Sequence, residues 1–497
     1  MTQQLTPTII LGVIIAYFLL LIAISYFTGK DANNEQFFLA GRKSPWFIVA
    51  FGMIGASLSG VTFISVPGTV GAGGANQAFS YMQVVFGYLL GYLVIALVLM
   101  PLYYRLKLTS IYTYLEQRFG WSAYKTGAAY FLLSRVLGSS LRLYLVAIVL
   151  QGFVLGPMGI PFWLTVAVTI VLIWVYTFRG GINTIIWTDT LQTACMLIAV
   201  VATIFAIGGA LETDFGGLID YIKNSEYSQV FFFEGGWSDP NNFFKQFISG
   251  ALITIVMTGL DQDMMQKNLS CRNLWDAQKN MFTFSGVLVV ANLLFLSLGA
   301  LLYIYAANVG LTLPDRSDQL YPMIALQHLS PAIGIIFILG LIAAAYSSAD
   351  SALTALTTSF CVDFLDFEKK DVPQKEQRNT RFKVHIGFSV LLFIVILIFN
   401  LINSRAVIDM VLKVAGYTYG PILGLFAFGM LTKLKVNNSW VIPICVATPI
   451  LTFILDYFSA EIFYGFQFGF LNLAVNGLLT FVGLLTISYH APVKTEE

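Results

Sequence analysis

The chain has 497 residues, of which 57% are hydrophobic and 11% charged, and a formal net charge of +1. Soluble proteins carry about 25% charged residues, so the composition excludes a soluble globular protein and predicts an all-α polytopic membrane protein. It also argues against nucleic acid as a partner, and no nucleic-acid motif is present. The four cysteines, Cys195, Cys271, Cys361 and Cys445, have no metal or redox spacing and read as free packing residues. His328, His385 and His490 fall near predicted span ends, which leaves no His-rich metal site. No nucleophile–base pair or metal constellation points to an enzyme.

The N-terminus has no basic region and no small-residue cleavage site, so residues 8–28 read as a retained first span. Apolar runs of about 20 residues mark membrane helices. They fall at 8–28, 46–71, 78–104, 124–155, 161–178, 185–211, 243–260, 280–307, 331–360, 382–402, 407–431, 437–457 and 466–489. Thirteen spans put the termini on opposite sides. One set of loops, with Lys30, Arg42, Lys43, Arg105, Arg179, Lys267, Lys369 and Lys433 among its members, holds about twenty Lys and Arg. The alternate set holds Lys223, Lys245, Arg316 and Arg405. The positive-inside rule then predicts the N-terminus outside and the C-terminus inside. Two loops are long. Residues 212–242 mix acids with aromatics and predict short surface helices over the outer mouth. Residues 361–383 are charged and predict a solvated connector. Neither has a folded-domain pattern, so residues 1–497 read as a single transmembrane domain.

Three spans do not read as plain lipid-facing helices. Residues 52–74 are rich in Gly and contain Pro67. Interrupted helices survive in a membrane only where they line a cavity or are buried in protein. Residues 249–263 are a weaker second case. The two stretches belong to the second and seventh helices, and each opens a run of five. Such pairing points to an inverted-repeat transporter with a midplane site. The repeats would be 46–211 and 243–431, with 8–28 and 437–489 peripheral. The third span, 340–360, carries Ser347, Ser348, Asp350, Ser351, Thr354, Thr357 and Thr358. A carboxylate in hydrocarbon is costly without a partner, and hydroxyl and carboxylate oxygens suit a hard cation. Packed against the first broken helix, Ser347 and Ser348 would share a cation with its freed carbonyls.

Other polar residues lie within spans. Asp189 reads either as a partner of Arg179 or as a second cation ligand. Arg135 and Arg142 are seven apart and lie on nearly one helix face. Arg142, near mid-span, suits a carboxylate, either Asp350 or one on a substrate. Gln83 reads as a donor to a polar substrate or as an interhelical bond. Lys413 has Asp409 one turn earlier, and an internal ion pair is the simpler reading.

With these residues assembled, the chain resembles the sodium:solute symporter family. The resemblance runs through Gln36-Phe37-Phe38-Leu39-Ala40-Gly41-Arg42, Leu58-Ser59-Gly60-Val61-Thr62-Phe63, and Gly180-Gly181-Ile182 with Trp187-Thr188-Asp189. It continues through Asp261-Gln262-Asp263 with Gln266-Lys267, Ser347-Ser348, and Gly420-Pro421 with Gly424-Leu425-Phe426. It implies ten core helices in inverted five-helix repeats plus peripheral ones, and inward symport driven by sodium. It implies a main sodium site from the carbonyls of Gly55, Leu58 and Ala344 and the hydroxyls of Ser347 and Ser348. A second sodium, as in sialic-acid transporters, would match Ser347, Asp350, Ser351 and Asp189. Asp350 departs from the serine usual there, so it could instead carry a proton. Substrate positions would be Ser57, Ser59, Thr62, Gln83 and Arg142, with Lys413 near a sugar-contacting position. The expected function is secondary active, sodium-coupled symport of a small polar solute (a sugar, sialic acid or another carboxylate) by a multi-pass protein of the cell membrane, of the bacterial inner-membrane type. Its partners would be that solute and the lipid bilayer, with no obligate protein partner evident. A proton-coupled transporter and a transporter-like substrate sensor are the alternatives.

Overall fold

The computed structural model describes residues 7–28, 34–177, 181–367, 373–402 and 407–490, with the side chains at 7, 34 and 407–409 left aside. Lys30, Arg179, Lys369, Lys370, Arg405 and Lys494 of the charge pattern, and the Asp409 side chain, lie outside the described residues. The fold is almost entirely helical. Its long helices are α1 (Pro7–Thr28), α2 (Trp46–Thr69), α3 (Tyr81–Leu106), α4 (Trp121–Met158), α5 (Phe162–Thr177) and α6 (Ile182–Ala210). There follow α7 (Phe243–Gly259 and Gln262–Leu269), α8 (Leu274–Asn308), α9 (Pro331–Phe364), α10 (Gln374–Ile402), α11 (Val407–Leu431), α12 (Asn438–Tyr457) and α13 (Gly469–Thr486). Among the described residues eleven helices are long and apolar enough to cross a membrane, and the bent α7 makes a twelfth. Helix α5 is apolar but has only 16 residues. Each of the thirteen predicted stretches overlaps one of these helices.

Both predicted interruptions are present. Helix α2 leaves helical geometry at Ser59, with φ 26° and ψ 174°. A non-glycine residue with positive φ carries backbone strain of about 1–3 kcal/mol and persists only where its surroundings hold it. Helix α7 bends by 63° between Gly259 and Gln262. There Asp261 caps the second half by accepting from the amides of Asp263 and Met264. The two broken helices lie in the interior. Helix α2 packs against α6, α8 and α9, α9 packs extensively on α6, and the first half of α7 packs on α3. Small residues permit this closeness, because packing in a bilayer rests on van der Waals fit rather than on a hydrophobic drive. A Cβ on Gly91 would come within 2.7 Å of the Ala251 carbonyl. Every residue of α9 from Leu341 to Ser359 is buried, so its hydroxyls and Asp350 face protein.

Three details differ from expectation. The 361–383 connector is helical at both ends: α9 runs to Phe364 and α10 begins at Gln374. The charged start of α10 is made of good helix formers on an exposed face. His385 is therefore three turns into α10, buried, with Thr357 Oγ1 at 2.9 Å and Thr177 Oγ1 at 3.2 Å. Lys267, counted above as a loop charge, is fully buried in α7. The outer loop does form short helices: Phe215–Lys223 is capped by Asp214, and a turn follows at Glu226–Ser228. All four cysteines are free thiols.

Candidate functional site

The positive-φ residue Ser59 in α2 determines where the site lies. Around Ser59 the helical hydrogen-bond ladder is interrupted, and backbone groups there are freed. A cavity of about 800 Å³, open mouth included, borders this break. Ser57, Ser59 and Thr62 line it from α2, Arg142 from α4, and Tyr81 and Tyr88 from α3. The two tyrosine hydroxyls are bonded to each other at 2.9 Å. Met257, Thr258 and Met264 from the second broken helix and Val411 and Leu412 from α11 close other sides. The cavity therefore lies where both interrupted helices meet.

Beside it, α2 touches the hydroxyl-rich part of α9. A Cβ added to Gly55 would stand 3.2 Å from Ser347 Oγ, and the Gly55 amide donates to Thr193 Oγ1 at 2.9 Å. Gly55, Leu58, Ala344, Ser347 and Ser348 are all buried. Ser347 donates its proton to Asp189 Oδ1 at 2.7 Å. That leaves its oxygen lone pairs free to face another group. Ser348 Oγ accepts from Arg142 Nη1 at 3.3 Å. Arg142 thus reaches from the cavity lining to this hydroxyl.

A second polar cluster lies deeper between α6, α7 and α9. Lys267 Nζ is 2.7 Å from Asp189 Oδ2, and both side chains are 1% exposed. Ser351 Oγ is 3.2 Å from Asp350 Oδ1 and 3.5 Å from Asp189 Oδ2. Tyr176 donates to Asp350 Oδ2 at 2.7 Å. Asp350 and Arg142, weighed above as a pair, have different partners. The partner of Asp189 is Lys267, whereas Arg179 lies outside the described residues.

Arg135, which also lines the cavity, is bound to Asp261 and lies 3.3 Å from Asp263 Oδ2. Tyr419 on α11 also donates to Asp261. Asp261 is saturated by Arg135, Tyr419 and two amides, which offsets the cost of burying its charge.

Two expected substrate residues are not at the cavity. Gln83 is fully buried, and its amide is committed to the outer loop. Its Nε2 donates to the Asn241 carbonyl at 2.8 Å and to Gln246 Oε1 at 2.9 Å, and its Oε1 accepts from the Phe232 amide at 3.0 Å. Lys413 is 46% exposed and lies 3.5 Å from Asp456 on α12. The sequence reading missed Lys267 as a site residue. Its sequence signals are its place in the Gln266-Lys267 run of the family resemblance and a charge in a polar run that continues an apolar helix past a break.

The family profile described as the sodium:solute symporter family matches residues 37–439. The chain belongs to the sodium:solute symporter family. It is a multi-pass membrane transporter coupled to sodium, not an enzyme. It is 23% identical to the sodium/sialic acid symporter of Aliivibrio fischeri over 92% of this chain and 89% of that protein. It is 25% identical to the sodium/sialic acid symporter of Proteus mirabilis over 94% of this chain and 92% of that protein. Among solved structures it matches a substrate-bound, outward-open Na+-coupled sialic acid symporter with a TM-score of 0.79. That match has 20% identity and covers 96% of this chain and 97% of the other. A transporter of the nucleobase-cation-symport-1 family matches with a TM-score of 0.56, at 14% identity over 92% and 96% of the two chains. At these identities the structural matches establish the fold.

Proposed function

We propose that this symporter carries a small polar carboxylate, with sialic acid and other acidic sugars the first candidates. The observation that carries the reading is Arg142. It is held at the cavity by one hydrogen bond to Ser348, and no carboxylate of the described residues pairs with it. A guanidinium half-buried within a span and facing a cavity calls for an anion, and its planar fork matches a carboxylate in two parallel bonds. Ser57, Ser59 and Thr62 supply hydroxyls for the polar part of the solute. The relatives that transport sialic acid support this class.

Sodium, as co-transported substrate, is assigned to the contact of α2 with α9. The carbonyls of Gly55, Leu58 and Ala344 and the hydroxyls of Ser347 and Ser348 would hold it. Bound there, it ties the broken helix to α9 and favours one conformation, and that unequal binding is what couples the ion to the solute. The inner-negative membrane potential adds about 2.3 kcal/mol per charge per 100 mV. The chain is read as one domain of thirteen spans, with inverted repeats at 46–211 and 243–431, an outer N-terminus and an inner C-terminus, in a bacterial-type inner membrane.

A thermal-shift panel tests the solute class. Purified protein in sodium chloride, against choline chloride, is scanned with sialic acid, uncharged sugars and short monocarboxylates. Stabilisation by carboxylates in sodium, lost in Arg142→Gln, is expected. Equal stabilisation by neutral analogues, or equal loss for both classes in Arg142→Gln, would overturn it.

A further inference from the structure

The second polar cluster already contains a cation. Each of the four oxygens of Asp189 and Asp350 has a donor. Asp189 Oδ1 takes the Ser347 hydroxyl and Oδ2 takes the Lys267 ammonium, both at 2.7 Å. Asp350 Oδ1 takes the amide and hydroxyl of Ser351, and Oδ2 takes Tyr176 at 2.7 Å. Lys267 is the only cationic side chain bonded to the two carboxylates among the described residues. It carries the same unit charge as sodium and donates where sodium would accept oxygen lone pairs. A sodium ion on Asp189 would have to displace this ammonium or sit beside it, and two cations on one carboxylate oxygen in a buried site repel strongly.

We propose that Lys267 is a resident cation in the place of a second sodium, so that the protein binds one sodium only, at the α2–α9 contact. This rests on the sodium assignment made above. The ammonium is tethered to the second half of the broken helix α7, while its acceptor is on α6. It neutralises Asp189 without being transported. Asp189 is thereby free to accept the Ser347 hydrogen bond and turn that hydroxyl's lone pairs toward the α2 carbonyls. Lys267 is a positioning residue that acts on the sodium site through Asp189 and Ser347.

Equilibrium binding of radioactive sodium to the purified full-length protein tests this, with the melting temperature as a check on folding. The wild type is expected to bind one sodium per chain with a hyperbolic isotherm. Lys267→Arg, which keeps the charge, is expected to bind one. Lys267→Gln vacates the position and is expected to bind two. Two sodium ions in the wild type, or one in a folded Lys267→Gln, would overturn the proposal. Should Lys267→Gln fail to fold, the counts for wild type and Lys267→Arg still decide. No saturable sodium in the wild type would instead overturn the α2–α9 assignment, and this proposal with it.

Discussion

At Ser59 the chain leaves its helix among glycines and hydroxyls, and helix α2 contains no charged residue. At Leu260–Asp261 it leaves its helix at a carboxylate, and Arg135, Tyr419 and two backbone amides close on that carboxylate at once. The first break keeps its polar groups unspent and borders the cavity. The second consumes its polar groups within the protein. Interrupted helices in a membrane must satisfy the freed backbone. A protein ion pair makes a permanent joint, whereas carbonyls and hydroxyls make one that a cation can complete and leave.

This contrast can be broken from either side. The largest effect is expected at the second break. Asp261→Ala leaves Arg135 buried without its main partner and removes the helix cap, so stability should fall by about 3–5 kcal/mol. A thermal melt in detergent should show this in the presence and absence of sodium alike. A sodium-dependent loss would mean that the second break also serves the ion. Next in size is Gly55→Val. Its branched side chain would press on Thr193 and Ser347 and separate α2 from α9. Sodium affinity should fall at least about a hundredfold, about 2.7 kcal/mol, read from sodium-dependent tryptophan fluorescence. Near-normal affinity would move the ion elsewhere. Ser348→Ala removes one hydroxyl oxygen and should raise the half-saturating sodium concentration about tenfold. The smallest effect belongs to Lys413→Gln. The pair with Asp456 is half-exposed, so its loss should cost under about 1 kcal/mol. Solute selectivity should not change, and a changed solute preference would return Lys413 to the cavity.

The sequence was informative in proportion to how local the physics is. Span length and hydropathy act within one helix, and each predicted stretch met a helix. Glycine and proline act on their own backbone, and so residues 52–74 announced the first break. Lys267 and Asp189 are 78 positions apart, and nothing in either neighbourhood names the other. Charge placement even put Lys267 among solvated loop residues, because a lysine after an apolar run looks the same whether the helix exits the membrane or bends inside the protein. Gln83 failed for a related reason. A buried amide is equally suited to a solute or to a loop, and here the loop bearing Phe232 and Asn241 folds back onto it. Lys413 found Asp456 on another helix rather than a sugar.

The assignment of sodium to the first break is tested most directly by uptake in proteoliposomes across a range of outside sodium concentrations, comparing the wild type with Ser348→Ala and with Lys413→Gln as a control. A half-saturating sodium concentration raised about tenfold in Ser348→Ala, and unchanged in Lys413→Gln, is the predicted result. Identical sodium dependence in the wild type and Ser348→Ala would contradict the assignment.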